Sequence, residues 1–518
     1  MSYSFPFPPL STPGNAREEI INQFAPFSRL SLSAETFCNI VDFCEDVTAN
    51  RHAVQQLKDS CYLLLLTAKQ SEERTRTNGD SGNIIVLVNN VLLSVKSRIH
   101  RWSLLLELDA IAQRNEIEGE IKYCHICLSD CMGHFQNEIY SWREGFVTNC
   151  QLDYRDIVEY LSATRNESDI LEQAGSGRGD LVKQVIELMQ SILNEGTITD
   201  HERSGLSRNL YRLQLHCNEI LSGIRKELFT GNLPYSGTQY VDIYRGTYLQ
   251  CGEVAVKVMR STSFNEHSLR RFNREVKVWA KIWKVDRGRH IVPFYGHGTD
   301  DRPIPFFVSP WQPNGNARSY VQSRDLGAEE YRQMIKNIAL GIEVLHSMSP
   351  PIVHGDINAT NILINSQGQP LLADFGVSQM LQDVNGVPLT QSGGMSHAPR
   401  WFAPEVWTDG GKLSSMSDIY SYGMTVLELF THEKPYADIR HTPQATLLAS
   451  KGTCPKRPSA AEVIGRGMDD NIWTLLTQCW SLRPEARPKI QAVLDEVSMP
   501  KKYQTDTLTD ERSFESLR

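Results

Sequence analysis

The stretch "IVHGDINATNILIN", Ile352 to Asn365, with its continuation "SQGQPLLADFG" to Gly376, decides the reading of this chain. Two short apolar runs flank a polar loop that holds His354, Asp356 and Asn361. A second turn follows, and Asp374-Phe375-Gly376 lies in it. Apolar runs this short, punctuated by Gly, Asn and Asp, read as strands and turns.

Upstream, "CGEVAVKVM" (251–259) alternates Val254, Val256 and Val258, the period of a strand, with Lys257 among them. Alone, Lys257 reads as a solvent-facing lysine on an edge strand. "SLRRFNREVKVWAKI" (268–282) is an amphipathic helix with Phe272, Val276 and Trp279 on one face and Glu275 beside it. Downstream, "RWFAPEVW" (400–407) sets Pro404 and Glu405 before a helix. "SSMSDIYSYGMTVLELF" (414–430) is a strongly apolar helix carrying Asp418, and "CWSLRPEARP" (479–488) offers Arg487.

In this order the segments resemble the protein kinase family: V-A-V-K, a helix glutamate, H-x-D-x-x-x-x-N, D-F-G and A-P-E. Each motif alone is weak; their order and their secondary-structure settings make the resemblance specific. It covers roughly residues 233–500. "RWFAPE" and "SDIYSYGMTVLEL" are most similar to the tyrosine-kinase-like group. "VSPWQPNGNARSYV" resembles the hinges of kinases abundant in mushroom-forming fungi. The resemblance implies a bilobal α+β fold, ATP and Mg²⁺ as cofactors, and phosphate transfer to Ser or Thr of a protein substrate. Phosphoryl transfer asks mainly for positioning and charge neutralisation. By motif matching, Lys257 contacts the α/β-phosphates and pairs with Glu275. Asp374 and Asn361 ligate Mg²⁺, and Asp356 accepts or orients the substrate hydroxyl proton. Ser309 is a small gatekeeper, and Pro310 to Gln312, with Trp311 between them, form the hinge. Ala255 and Leu363 sandwich adenine, and Gly237 and Ile243 belong to the phosphate lid. Glu405 and Arg487 form a buried ion pair, Asp418 anchors the catalytic loop, and Trp480 packs in the C-lobe.

Three departures qualify that reading. The lid window "SGTQYVDI" (236–243) should hold three glycines in G-x-G-x-x-G-x-V. It holds only Gly237, on a variable position, with Tyr240 and Val241 where backbone should approach phosphate. The Arg of H-R-D is Gly355, which implies that activation-loop phosphorylation is not the usual switch. The Lys two residues after Asp356 is Asn358, and its Thr partner aligns with Ala398. Loss of one transition-state charge contact costs about 10²–10³ in rate, of which a neutral hydrogen bond from Asn358 recovers part. Ser378, Thr390, Ser392 and Ser396 lie in the activation segment. A slow kinase and a pseudokinase both remain open.

Before the kinase-like half, residues 33–229 read as helical throughout. Ser33 reads as an N-cap. Phe37, Ile40, Cys44, Val47, Val54, Leu57, Cys61 and Leu64 make one apolar face, and Ile85, Val88, Val91, Leu92, Val95, Ile99, Trp102 and Leu106 another. A third helix runs from about Asp109 to Phe146. The domains expected are a flexible Pro/Ser-rich arm (1–30), a helical bundle (31–165), a helical brace (166–232), the kinase-like domain (233–500) and a polar tail (501–518). Cys124, Cys127, Cys131 and His134 have a zinc-like look, but the three thiols follow a helical stripe and read as core. "ETFCNIVDFCEDVTANRHAVQQLKDSC" (35–61) resembles the N-terminal domain of mixed-lineage-kinase-domain-like proteins. That implies a bundle that oligomerises or acts on membranes, against the plainer reading of an adaptor that docks a signalling partner.

Composition bounds the rest. The 518 residues exceed a single core, and a net charge of −8 gives no reason to expect nucleic acid. "MSYSFPFPPL" has neither a basic start nor an apolar core, so no secretory signal is expected. The 11 cysteines lack a disulfide-framework spacing, which points to reduced thiols and a cytoplasmic setting.

Overall fold

The computed structural model describes residues 13–75, 82–135, 141–175, 179–195, 197–225, 228–231, 233–237, 241–260, 266–299, 304–375, 379–380, 399–408 and 413–498. Compactness divides the chain into two units. The first holds residues up to Leu221 with Arg225–Phe229 and Thr247–Gly252, and the second the remainder.

The first unit is helical: α1 (Pro13–Phe24), α2 (Ser31–Glu45), α3 (Arg51–Thr75), α4 (Gly82–Ser103), α5 (Glu107–Ala112), α6 (Arg114–Gly133), α7 (Arg143–Ser162), α8 (Glu167–Ala174), α9 (Gly179–Glu195) and α10 (Asp200–Cys217). Most of the predicted stripes form its core; Ile85 and Val91 pack against it half-buried, and Leu106, 47% exposed, falls outside it. Phe37, Ile40, Cys44, Leu57, Cys61 and Leu64 meet Val88, Leu92, Val95, Ile99 and Trp102, all essentially buried. Helix starts are satisfied in two ways. Thr199 and Glu202 form a reciprocal capping box on α10. Asp153, on α7, caps α3 from outside, accepting the N–H of His52 at 2.7 Å and of Ala53 at 3.0 Å.

Four local expectations change. Residues 13–30 are not an arm: α1 forms, and Ile20, Phe24, Phe27 and Leu30 are buried in the bundle core. Four apolar side chains at near-helical spacing outweigh the Pro/Ser bias. Ser33 lies inside α2, whose N-cap position is Leu30, and its hydroxyl reaches Asn89 at 3.5 Å. The single helix expected from Asp109 to Phe146 is α5, α6 and the start of α7. The helix expected over 206–229 stops at Asn218, whose left-handed φ of 54° ends α10. Strands follow at once, so the β-rich part begins about a dozen residues before Leu233. Cys124 and Cys131 lie on the unbroken α6 with their thiols pushed up by burial to about 12 and about 11, as core thiols rather than ligands.

A seven-stranded sheet, most of whose residues belong to the second unit, is built from β1 (Leu221–Ile224), β2 (Leu228–Thr230), β3 (Ser236–Gly237), β4 (Val241–Tyr248), β5 (Gly252–Met259), β6 (Gly296–Thr299) and β7 (Pro305–Pro310). Its order is β1-β6-β7-β5-β4-β2, with β3 also pairing on β4. Helix α11 (Glu266–Asp286) buries Phe272, Val278, Trp279 and Ile282. The helical lobe comprises α12 (Ala317–Ser323), α13 (Ala328–His346), β8 (Ile352–Val353), β9 (Ile362–Ile364), β10 (Pro370–Leu372), β11 (Gln379–Met380), α14 (Pro404–Thr408), α15 (Ser415–Thr431), α16 (Thr442–Ser450), α17 (Ala461–Gly465), α18 (Asp470–Cys479) and α19 (Ile490–Ser498). Every residue of α15 from Ser417 to Phe430 is buried, as an all-round apolar helix requires. Gly423 lets Trp480 lie on it: a Cβ there would stand 2.7 Å from the indole nitrogen. An N-terminal helical bundle followed by a bilobal α+β domain is thus the architecture.

Candidate active site

The site is assembled from three rigid elements. Strand β5 carries Lys257, and its register against β7 sets Ala255 opposite Ser309 and Lys257 opposite Phe307. Helix α11 presents Glu275, 4% exposed, on its buried face. The turn after β10 presents Asp374. Lys257 Nζ bridges the two carboxylates, at 3.0 Å from Glu275 Oε1 and 2.9 Å from Asp374 Oδ1. Burial opposes the ammonium, but the Asp374 and Glu275 carboxylates together outweigh it and hold Lys257 above its ordinary pKa.

Packing sets the Asp374 turn. Phe375 is buried between Trp279 of α11, at 6.0 Å between ring centroids, and His354, at 5.2 Å. Asp374 itself has φ 64°, a left-handed conformation that costs a non-glycine of order 1–3 kcal/mol. The buried Phe375 and the Lys257 ion pair hold it there.

The catalytic loop between β8 and β9 is anchored from below by two carboxylates of α15. Asp418, fully buried, accepts the N–H of His354 and of Gly355, each at 2.9 Å, and pairs with His346 Nε2 at 2.8 Å. Glu428, 1% exposed, accepts the Ala359 N–H at 3.1 Å and the Trp401 indole N–H at 2.9 Å, with Arg318 3.6 Å away. Burial raises the Glu428 carboxyl to about 7 against these partners. Gly355 has φ 80°, a backbone that glycine adopts without strain. The residue standing where H-R-D has arginine therefore suits the loop it sits in.

Asp356 receives two side-chain amides. Asn361 Nδ2 donates to its Oδ2 at 3.0 Å and Asn358 Nδ2 to its Oδ1 at 3.2 Å. Both also reach the Asp356 carbonyl, at 2.9 and 3.2 Å. Asn358 is 3% exposed, and its Oδ1 accepts the Thr360 N–H at 3.0 Å and the Thr360 hydroxyl. Ala373 N donates to Asn361 O at 2.9 Å, which ties the Asp374 turn to this loop.

The hinge follows β7. Trp311 N donates to Glu253 O at 2.9 Å, so that N–H is already engaged, and the Trp311 ring packs edge-on against Tyr235, with the Arg245 guanidinium 5.2 Å from its centroid. Gln312 Nε2 reaches the Pro310 carbonyl at 3.2 Å. Leu363, half-buried, sits in the middle of β9. Gly237 pairs with Asp242 in the β3–β4 hairpin, and Ser236 with Ile243. A Cβ on Gly237 would lie 2.5 Å from Asp242 Oδ1, which the Arg260 guanidinium holds in a forked pair at 2.7–3.1 Å. The one glycine of the lid window thus makes room for an ion pair. Thr238 to Tyr240, Gly376, Ser378, Thr390, Ser392, Ser396 and Ala398 lie outside the described residues.

Beyond the cleft, Arg487 makes a forked pair with Glu405, at 2.7 and 2.8 Å, and also reaches the Met416 and Ser481 carbonyls. Three contributions escaped sequence reading: Glu428, Arg400 and the second role of Asn358. Arg400 is buried, and its guanidinium donates to the carbonyls of Pro435, Tyr436 and Ile439 at 2.6–3.0 Å. Glu428 and Arg400 stand out in the sequence only as charged residues among apolar ones, and nothing there marks the second role of Asn358.

Two lobes closing on a lysine held between carboxylates define the kinase class of folds. The family model for protein tyrosine and serine/threonine kinases matches residues 236–497, and the chain belongs to that family. Its kinase half is similar to the serine/threonine-protein kinase TNNI3K of Rattus norvegicus, 30% identical over 249 residues, covering 47% of this chain and 28% of that protein. It is also similar to the serine/threonine-protein kinase STY17 of Arabidopsis thaliana, 27% identical over 259 residues, 49% of this chain and 42% of the relative. Stress-activated protein kinase alpha of Dictyostelium discoideum is 29% identical over 322 residues, 59% of this chain and 47% of that protein. The matches span less than half the length of each of these relatives.

Proposed function

We propose that the protein transfers the γ-phosphate of ATP to serine or threonine hydroxyls of protein substrates. The observation that carries this reading is Lys257 bridging Glu275 and Asp374 beside a loop that presents Asp356 and Asn361. The fit to Mg·ATP is chemical. Asp374, its side chain 45% exposed, and Asn361 supply oxygen donors of the kind a hard cation takes. These two would hold Mg²⁺, which when bound neutralises phosphate charge. Lys257 supplies a fixed cation for the phosphates, Asp356 accepts the hydroxyl proton, and Ala255 and Leu363 flank the adenine. The serine/threonine preference is supported by the printed names of the TNNI3K and STY17 relatives. Eleven free cysteines accord with a cytoplasmic setting.

A second reading keeps the domain as a nucleotide-poor switch over the helical bundle, and the hairpin favours it: Gly237 serves the Asp242–Arg260 pair. In that reading the tyrosine-kinase-like domain, fungal in its hinge, controls a bundle like that of mixed-lineage-kinase-domain-like proteins, acting by oligomerising or at membranes. Among the described residues no helix is long and apolar enough to cross a membrane. Purified protein with Mg·ATP and a mixed protein substrate decides. Transfer to Ser/Thr that falls roughly a hundredfold or more in Asp356→Asn supports the kinase. No transfer, and no thermal stabilisation by millimolar Mg·ATP, sinks it.

A further inference from the structure

We propose that Asn358 is a positioning residue that fixes the carboxylate of Asp356, opposite Asn361, instead of contacting the γ-phosphate. This rests on the kinase reading above.

Three features of the geometry carry it. First, the orientation of the Asn358 amide is determined by its surroundings. The Thr360 N–H can only donate, so the atom facing it at 3.0 Å must be Oδ1, which leaves Nδ2 toward Asp356. Second, both ends of the amide are engaged in the loop: Nδ2 on Asp356 Oδ1 and on the Asp356 carbonyl, Oδ1 on Thr360. Turning Nδ2 toward a phosphate would break these bonds in a side chain only 3% exposed. Third, the clamp is two-sided. Asn358 reaches Oδ1 and Asn361 reaches Oδ2, so the carboxylate plane is held at both oxygens rather than free to rotate about one contact. Asn361 N donates to Asn358 O at 3.0 Å, which makes the two amides parts of one turn.

A general base works only when its accepting lone pair faces the hydroxyl, and misplacement by about an ångström costs around a hundredfold. Asn358 therefore answers for the orientation of the base. The missing lysine charge is not replaced by it.

The test uses the full chain. Asn358→Ser keeps an acceptor for the Thr360 N–H and shortens the side chain, so that no amide Nδ2 reaches Asp356. Asn358→Asp also keeps that acceptor, with nearly the same shape, but turns a like charge toward Asp356. Both retain the Thr360 contact and both should fold; Asn358→Ser should melt close to the parent, and Asn358→Asp lower, because it buries a second carboxylate beside Asp356. The expected result is a fall in kcat of roughly tenfold for Asn358→Ser and roughly a hundredfold for Asn358→Asp, with KM for ATP within about twofold of the parent. A kcat within twofold of the parent in Asn358→Ser overturns the proposal. So does a KM for ATP that rises in step with the fall in kcat, the signature of a phosphate contact. If the parent shows no transfer above the Asp356→Asn background, the kinase reading fails and the clamp is judged separately. The side-chain amide resonance lost in Asn358→Ser should then sit downfield in the parent and move upfield in Asp356→Ala. A resonance that does not move overturns the clamp itself.

Discussion

The catalytic loop and the β3–β4 hairpin both depart from the kinase pattern, and both are held by carboxylates, but in opposite ways. The loop rests on Asp418 and Glu428, buried to 0% and 1% exposure, which accept the main-chain N–H groups of His354 and Gly355 and of Ala359, respectively. The hairpin rests on Asp242 and Arg260, whose side chains are 20% and 42% exposed. A buried carboxylate that satisfies backbone donors cannot be removed without stranding them. An exposed pair can be replaced by water. The loop is therefore held in a fixed geometry with Gly355 and Asn358 in it, while the one glycine of the hairpin makes room for a surface contact.

The sharpest way to break this contrast is at Asp418. Asp418→Ala leaves the N–H groups of His354 and Gly355, and His346, facing an empty buried site. Loss of a buried hydrogen-bonded carboxylate should cost roughly 3–5 kcal/mol. The denaturant midpoint of the kinase unit should fall accordingly. A change no larger than that of a surface substitution would mean that the loop is not hung from α15.

Glu428 gives a pH test of the same anchor. Its folded-state carboxyl lies at about 7, raised by burial from an ordinary value of 4.5. Over that interval the folded state binds a proton that the unfolded chain has released. Its contribution is fully present below about pH 4.5 and is lost as pH rises through about 7. The interval corresponds to roughly 3 kcal/mol. Glu428→Gln keeps an oxygen for Ala359 and Trp401 and cannot ionise. The stability difference, variant minus parent, should therefore rise between pH 5 and pH 8 and then level off. A flat difference would show that the Glu428 proton is not linked to folding.

How much of this was legible in the sequence follows from the same physics. Lys257, Glu275, Asp374 and the Glu405–Arg487 pair could be named because strand alternation, helix faces and motif order each constrain them. The arm failed because composition alone hid the spacing of Ile20, Phe24, Phe27 and Leu30. Strand β1 was missed because "EILSGI" continues a helical apolar pattern, and only the left-handed Asn218 breaks it. Asn358 was read as a weakened phosphate ligand because a motif position carries an expected role, whereas its hydrogen bonds depend on where Thr360 and Asp356 lie in space. Glu428 looked like one polar residue in an apolar helix, and nothing in a single sequence says which two donors it will meet.

The smallest effect is expected at the hairpin. Asp242→Asn removes the charge that holds Arg260 and leaves the strand pairing Gly237↔Asp242 and Ser236↔Ile243 in place. Because the pair is exposed, the denaturant midpoint should not move measurably. KM for ATP should also stay within about twofold, since the Asp242 carboxylate is turned to Arg260 and the main-chain pairing of Gly237 is left unchanged. A tenfold rise in KM for ATP would reverse the contrast. It would mean that the Asp242–Arg260 pair shapes a phosphate lid without glycines.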